Sequence, residues 1–177
     1  MEKSLISRAT RFADDAHRGQ LRKWTEEPYI FHPLEVAQIV STLINDSEVV
    51  AAAILHDVVE DTDVTIEQIE AEFGSRVAKL VDEVTKTSVP EDGNRATRKD
   101  KDRLHYSSGS YESQTIKLAD IISNSEDIVQ CNAKFAVKYL PEQRALAESL
   151  TAGHAQLREK ALEILTAAEA ELLKTGE

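Results

Sequence analysis

The chain has 177 residues, which is enough for one domain of ordinary size with a substantial core. Hydrophobic residues make up 41% of the sequence and charged residues 30%, the balance of a globular protein. The formal net charge of −11 argues against nonspecific binding to nucleic acid or to an anionic membrane surface. A small anionic ligand is still allowed, but it would need a local basic pocket or a metal ion.

Turn-forming residues are scarce, with 6 glycines and 4 prolines, and this scarcity favours an all-α fold. The single cysteine, Cys131, cannot form an intrachain disulfide, which is typical of a reducing compartment. No segment has the apolar run of a signal peptide or a membrane span, so a cytoplasmic protein is expected. We predict a single-domain helical bundle over residues 1–177, with a core at about 5–151 and a C-terminal helix at about 155–173.

The first two predicted helices flank a connector that contains Arg22 and Lys23. Apolar residues with a repeat of 3.6 predict a first helix that ends near residues 17–20. Proline suits the first position of a helix, so His32, which precedes Pro33, is expected at or near the cap of the next helix. That helix is predicted to run to about Ile44.

Two capping signals organise the next part of the chain. Ser47 is expected to cap a third helix that runs to Val59. Thr65 and Gln68 have the spacing of a capping box at the start of a short helix, and Gly74 suits the position that closes it. A further helix is expected to start at the next residue.

The second half is predicted to be helical after a long loop. Turn signals and scarce apolar residues predict that residues 89–110 are mostly loop, with room for a short helix from Arg98 to Leu104. Helical periodicity returns from about Glu112 to Val129 and continues from about Lys134 to Thr151. Pro141 predicts a break or kink in the second of these.

Four residues have the chemistry of a metal site: His32, His56, Asp57 and Asp120. Imidazole nitrogen and carboxylate oxygen together suit Mn²⁺, Fe²⁺ or Zn²⁺. Taken singly, His32 is more often a structural cap or a solvated side chain, and Asp120 is more often a surface residue. The adjacent histidine and aspartate on an apolar helix are harder to dismiss, because a buried charge needs a partner.

Acidic residues follow His56 and Asp57 at the C-terminal end of the predicted helix, where negative charge is unfavourable. Glu60 and Asp61 are expected at the C-terminal end of the third helix, which faces the negative end of its dipole. They lie one turn after His56 and Asp57, respectively, so a divalent ion held by that pair would reverse the local field. Asp63 lies outside this spacing and is assigned to the following turn.

Three segments together resemble a known family. They read RKWTEEPYIFHPLEVA, AAAILHDVVEDTDVTIEQIEAEFGSRVAKLVDEVTK and IKLADIISN, within residues 12–128. They resemble the HD-domain metal phosphohydrolases, and in particular the ppGpp hydrolase domain of RelA/SpoT-type enzymes and the stand-alone small alarmone hydrolases. The resemblance implies an HD-domain helical bundle.

The resemblance also implies roles for individual residues. It implies that the four candidate ligands bind a divalent metal, most commonly Mn²⁺ in this family, and that Glu60 and Asp61 form a catalytic acidic pair. An ion of this kind lowers the pKa of bound water, and either carboxylate suits the task of positioning that water or accepting its proton. Residues expected to contact the substrate, by resemblance or by position and charge, are Arg22, Lys23, Lys117, Asn124, Arg98 and Arg103. For a single basic residue of the loop at 89–110, a solvated side chain is the more common alternative.

The implied activity is hydrolysis of the 3′-pyrophosphate of (p)ppGpp, giving GDP or GTP and pyrophosphate. The segment from Ser123 to Asp127 departs from the family pattern, which keeps open another nucleotide substrate, or NADPH. A catalytically silent module that binds an alarmone is a third alternative. The expected partner is a small anionic nucleotide, with no nucleic acid and no membrane; the oligomeric state is open.

Several aromatic residues lack a ligand-like context. His17, His105 and His154 are expected at the surface or in local hydrogen bonds. The aromatic residues beside the basic pair are expected in the core or in a pocket wall rather than stacked on a substrate base; they are Trp24, Tyr29 and Phe31.

Overall fold

The structure, a computed structural model, describes residues 4–23 and 25–175. Within these residues it is helical, with one isolated antiparallel bridge between Leu21 and Pro28, so the predicted all-α class is confirmed. The chain forms two compact units, Met1–Thr85 and Lys86–Glu177. The predicted domain bounds, 1–177, extend beyond the described residues, and the single-domain organisation stays a prediction. In the described part of the chain, no helix is both long and apolar enough to span a membrane.

The first unit is built around a short apolar helix. Its helices are α1 (Leu5–Ala16), α2 (Phe31–Ser41), α3 (Ser47–Leu55), α4 (Val58–Asp61), α5 (Ile66–Phe73) and α6 (Ser75–Val84). Every residue of α3 from Val49 to Leu55 is buried, and three of them are consecutive alanines. Small side chains allow close approach, and α3 packs against α1, α2 and α6. This arrangement places the end of α3 inside the unit.

The second predicted helix is found, with an earlier end. Helix α2 begins at Phe31, so His32 is its second residue and lies near the cap as expected, and the helix ends at Ser41 rather than near Ile44. Pro33 is accommodated because the first turn of a helix leaves its N–H groups without intrahelical partners. His32 therefore lies in the first turn of α2, where its exposed fraction is 2%.

The predicted third helix is two helices. Asp46, rather than Ser47, caps α3, and its carboxylate accepts a hydrogen bond from the Glu48 N–H at 2.9 Å. Helix α3 ends at Leu55, and α4 starts after Asp57, which has φ −99° and ψ −7°. The predicted continuous helix to Val59 is therefore wrong, because the regular helix is interrupted at the adjacent histidine and aspartate.

The local signals around α5 are confirmed. The Thr65 hydroxyl accepts from the Gln68 N–H at 3.4 Å, while the Thr65 N–H donates to the Gln68 side chain at 2.9 Å. Gly74 closes this helix with φ +91°, a conformation that favours glycine, and α6 begins directly after it. These contacts lie within a few residues of one another, which is why the sequence predicts them.

The second unit contains one largely buried helix and three that cover it. Its elements are a 3₁₀ turn (Pro90–Asp92), α7 (Arg95–Ser107), α8 (Tyr111–Ser125), α9 (Ile128–Ser149) and α10 (Ala155–Thr175). All residues of α8 from Ser113 to Ser123 are buried, including polar ones. Helix α8 packs against α7, α9 and α10. The predicted helix at about 155–173 is confirmed as α10.

The predicted loop at 89–110 is mostly helix α7, so that prediction is wrong. Asn94 caps the helix, and its side chain accepts from the Thr97 N–H at 3.1 Å. The buried carboxylate of Asp102 anchors it by accepting hydrogen bonds from the backbone N–H groups of residues 87–88 at 3.1 and 2.9 Å. Helix α7 has few apolar residues, so its periodicity is weak although most of its residues are good helix formers.

The predicted kink at Pro141 is also misplaced. The backbone of α9 departs from helical angles at Asn132, with φ −160° and ψ 83°. The side chain of Asn132 accepts a hydrogen bond from the Phe135 N–H at 2.9 Å, as a helix cap does. The bend occurs where a side chain replaces a lost backbone hydrogen bond, and proline offers no such group.

Replacing Gly153 with alanine is expected to destabilise the protein by about 1–3 kcal/mol, because the site has no room for a side chain. An added Cβ would lie 2.9 Å from a Leu118 methyl carbon and 3.2 Å from Gln114. Urea unfolding measures the loss as a lower midpoint. The exposed neighbour provides the control: Ala152→Ser should change stability by less than about 0.5 kcal/mol. Equal midpoints for the two variants would contradict the close contact.

Candidate active site

Three of the predicted ligands meet in the first unit. His32 comes from α2, and His56 and Asp57 come from the break between α3 and α4. One ligand atom from each lies within 4.8 Å of the others. Asp57 Oδ2 lies 3.1 Å from His56 Nε2 and 3.5 Å from His32 Nε2. The two imidazoles are buried and the Asp57 side chain is 13% exposed, so the cluster is largely screened from solvent.

The cluster lies where α3 ends and α4 begins. In a continuous helix, His56 and Asp57 would project about 100° apart. In the structure α3 ends at Leu55, and Asp57 Oδ2 lies 3.1 Å from His56 Nε2. The interruption of the helix, which the sequence did not predict, therefore coincides with the cluster.

The hydrogen bond of His56 supports a cation at this point. His56 Nδ1 lies 2.8 Å from the Ala53 carbonyl oxygen, which can only accept, so Nδ1 carries the proton. In the neutral ring the Nε2 lone pair then faces the Asp57 carboxylate at 3.1 Å. Two electron-rich atoms at this distance repel unless a positive charge lies between them. A backbone carbonyl that fixes the histidine tautomer is also typical of metal sites. The donor set therefore fits a divalent metal ion.

Tyr29 connects Asp61, one of the predicted catalytic acids, to this cluster. Its hydroxyl lies 2.6 Å from Asp57 Oδ2 and 3.1 Å from Asp61 Oδ2. The Asp61 N–H also donates to the Asp57 carbonyl at 2.9 Å, so the spacing of one turn survives the helix break. Glu60 is half-buried on the same short helix, α4. The expectation that both acids lie at the C-terminal end of α3 is wrong, because they lie in α4.

The basic pair lies in the connector before α2, of which residues 17–23 and 25–30 are described. The Arg22 N–H donates to the Glu27 carbonyl at 2.7 Å, and the Arg22 guanidinium lies 3.5 Å from the Glu35 carboxylate. Lys23 follows Arg22 in the chain, and Tyr29 lies near the end of the same connector. The sequence pattern predicts Tyr29 in the core or in a pocket wall, and it does not predict the contact of Tyr29 with the acids, which are about thirty residues away.

His17 is the other residue whose role in this unit the sequence underestimated. It is 3% exposed, and its Nδ1 lies 2.8 Å from the Gln20 side chain. Of the two predicted environments, local hydrogen bonding is correct and the surface is wrong. Phe31, by contrast, is 53% exposed and not a core residue. Trp24, for which the same environment was predicted, lies outside the described residues.

The second unit holds the remaining polar residues of the α8 motif. Asp120 accepts from Asn124 Nδ2 at 2.6 Å through one oxygen, and its other oxygen lies 2.9 Å from Lys117 Nζ. Lys117, Asp120 and Asn124 therefore lie on one face of α8, as their spacing predicts. Tyr106 adds a contact that the sequence did not reveal, because its ring centroid lies 4.7 Å from Lys117 Nζ. Burial raises the pKa of the Tyr139 phenol, and the negative charge of Asp120 raises it further, so Tyr139 stays neutral.

The basic residues of α7 have acidic or carbonyl neighbours nearby. The Arg98 guanidinium donates to the Gly93 carbonyl at 3.3 Å, and Arg103 forms an ion pair with Asp100 at 2.7 Å. These contacts are what a solvated, self-neutralising helix makes. Substrate contacts by Arg98 and Arg103 stay predictions, as does the assignment of Asp120 as a further metal ligand.

Comparison with known proteins places the chain in a family. A family model described as an HD domain matches residues 9–108, more than half of the chain. The zebrafish (Danio rerio) protein named guanosine-3′,5′-bis(diphosphate) 3′-pyrophosphohydrolase MESH1 is 36% identical, over 89% of this chain and 90% of its own length. A protein of Synechocystis, named a probable enzyme of the same activity, is 56% identical over 84 residues, which are 48% of this chain and 11% of that protein.

A solved structure supports the same assignment. It is described as a metazoan ortholog of SpoT that hydrolyses ppGpp, and it matches with a TM-score of 0.84 and 31% sequence identity. The match covers 94% of this chain and 97% of the other. The chain therefore belongs to the HD-domain family, in the branch that contains MESH1 and the SpoT-type ppGpp hydrolases.

Proposed function

We propose that the protein is a metal-dependent hydrolase that removes the 3′-pyrophosphate of ppGpp or pppGpp, giving GDP or GTP and pyrophosphate. The observation that carries this proposal is the cluster of His32, His56 and Asp57, with Asp61 joined to it through the Tyr29 hydroxyl. The relatives that share this sequence pattern over most of the chain are named for the same reaction.

The ligand cluster would hold a divalent cation, and we propose Mn²⁺. Two imidazole nitrogens and a carboxylate oxygen suit an ion of intermediate hardness. Such an ion would withdraw electron density from a phosphoryl oxygen and make a neighbouring water molecule more acidic. Asp120 is proposed as a further ligand on the basis of the sequence pattern alone.

Glu60 and Asp61 are proposed as the residues that orient water and accept its proton. Net reaction adds water to the phosphorus attached to the ribose 3′ oxygen; that P–O bond breaks, and the 3′ oxygen takes up a proton. A general base must lie within hydrogen-bonding reach of the water it activates. The Asp61 carboxylate shares the Tyr29 hydroxyl with Asp57, and this contact supports the assignment of Asp61 to the water.

Binding of the substrate phosphates is assigned to side chains that carry positive charge or can donate hydrogen bonds. Guanidinium and ammonium groups offset phosphate charge, which the overall charge of −11 would otherwise repel. Arg22 lies in the same connector as Tyr29, between α1 and α2. The proposed contacts are Arg22, Lys23, Lys117 and Asn124, with Arg98 and Arg103 as further candidates.

The test is incubation of the purified protein with ppGpp and Mn²⁺, with separate assays for pyrophosphate and orthophosphate. We expect GDP and pyrophosphate in equal amounts. Orthophosphate as the product would contradict the proposed bond cleavage. Residues 123–127 depart from the family pattern, so parallel reactions with NADPH and with other nucleotides test whether the substrate differs. Faster turnover of one of these compounds than of ppGpp would identify it as the substrate instead. Tight binding of ppGpp without turnover would indicate a silent module.

We also propose a cytoplasmic location, which rests on the single cysteine, a composition typical of a reducing compartment. Size-exclusion chromatography with light scattering would determine the oligomeric state.

A further inference from the structure

The position of Asp61 depends on a contact from a distant part of the chain. Asp61 ends α4, a helix of 4 residues. A helix of one turn is not stable by itself, so its geometry must be imposed by its surroundings. The Gln20 side-chain amide donates to the Asp61 carbonyl oxygen at 3.0 Å, across 41 residues of sequence. This bond holds the end of α4 that carries the acid.

His17 determines which way the Gln20 amide faces. The Asp61 carbonyl can only accept, so the Gln20 nitrogen must face it and the Gln20 oxygen must face His17. His17 Nδ1, 2.8 Å from that oxygen, therefore donates. The other ring nitrogen, Nε2, is buried and has no hydrogen-bond partner among the described residues. Leaving the buried Nε2 acceptor without a hydrogen bond costs free energy. We infer that the hydrogen bond at Nδ1 compensates for this cost and accounts for a histidine at this position.

The same two residues also hold Tyr29. The Tyr29 N–H donates to the Gln20 backbone carbonyl at 3.0 Å, and the His17 and Tyr29 rings lie 4.6 Å apart. The Tyr29 hydroxyl reaches the carboxylates of Asp57 and Asp61. Gln20 thus contacts both the backbone of the acid and the backbone of the tyrosine that joins this acid to the ligand cluster.

We propose that Gln20, oriented by His17, is a positioning residue that holds the Asp61 carboxylate and the Tyr29 hydroxyl against Asp57. Its effect on turnover rests on the proposed function. Its geometry can be tested without turnover. Gln20 contacts none of the three clustered ligands directly, so its loss should change the rate of the chemical step and leave the bound metal in place.

The kinetic test is Gln20→Met, which keeps the side-chain length and removes the amide. We expect kcat to fall about 10–100-fold, the range typical of residues that orient others at such sites, with KM and bound metal unchanged. Thr65→Ala is the control, because it removes the cap of α5 in the same unit and lowers Tm without touching these contacts. If Gln20→Met retains kcat as well as Thr65→Ala does, the proposal is wrong.

Two substitutions of His17 test whether this residue orients Gln20. His17→Asn places an amide N–H near the position of Nδ1 and should retain most of kcat, whereas His17→Leu should lose it to the same extent as Gln20→Met. Equal losses in both histidine variants, measured on folded protein, would overturn the role of the Nδ1 contact.

Nitrogen-15 NMR of the His17 ring provides a reading that is independent of turnover. We expect the proton on Nδ1 in the wild type, and loss of this fixed tautomer in Gln20→Met. A proton found on Nε2 in the wild type would refute the proposed contact. Absence of pyrophosphate release by the wild type would refute the proposed function instead, so the two failures are distinguishable.

Discussion

Asp57→Asn is expected to release the metal ion and to reduce pyrophosphate release by roughly 10³-fold or more. The physical reason is that Asp57 Oδ2 faces both His32 Nε2 and His56 Nε2, so it supplies the negative charge of the cluster. A catalytic metal contributes several kcal/mol of transition-state stabilisation, and each 1.36 kcal/mol is a factor of ten in rate. Asparagine keeps the shape of the side chain and removes the charge, which isolates the electrostatic effect.

Metal content and rate should be measured on the same preparations, by elemental analysis and by the pyrophosphate assay. Asp63→Asn is the matched control, because it makes the same change at an exposed residue six positions away, outside the ligand cluster. Treatment of the wild type with a chelator should mimic Asp57→Asn, and added Mn²⁺ should restore the wild type only. Full metal content with normal turnover in Asp57→Asn would refute the metal site.

Asp61→Asn and Glu60→Gln are expected to lower kcat by roughly 10²–10⁴-fold while the metal stays bound, because general acid–base groups contribute rate and not metal affinity. The amide of asparagine can still accept a hydrogen bond from the Tyr29 hydroxyl, so the Asp61 variant preserves the local geometry. Retained metal with lost activity distinguishes a proton-handling role from a ligand role, which Asp57→Asn tests.

The two acids should be compared with each other and with Asp63→Asn. Unequal losses identify the carboxylate that acts on water, and the geometry favours Asp61, which shares a hydroxyl with the ligand cluster. Turnover within tenfold of the wild type in either variant would exclude that residue as the base. Loss of metal from Asp61→Asn would instead reassign it to the ligand set.

Local signals account for what the sequence predicts well. The capping box of Thr65 and Gln68 and the glycine at residue 74 involve contacts within ten residues, and they are found as expected. Helices α1, α6 and α10 carry regular apolar faces, which report the side that packs. The adjacent His56 and Asp57 after an apolar run indicate a buried polar site, since such groups need compensation inside a protein.

The predictions from sequence fail where the contact that determines the local structure comes from a residue outside the local pattern. Helix α7 has little apolar periodicity, and the burial of Asp102 beneath the backbone at residues 87–88 is invisible in a linear pattern. The bend in α9 occurs at Asn132 because its side chain caps the following turn, whereas the sequence drew attention to Pro141. In both cases the sequence shows the residue types but not the partners that they find.

The sequence by itself determined the all-helical class, the family resemblance and the residue types of a metal-dependent phosphohydrolase. Only the tertiary structure decided that the third helix breaks at His56 and Asp57, so that both side chains converge with His32. It also decided that Tyr29 and Gln20 reach Asp61 from a connector about thirty to forty residues away. Periodicity and capping depend on neighbouring residues, whereas the break and these contacts depend on how α3 packs against α1 and α2, which brings together polar groups that are distant in sequence.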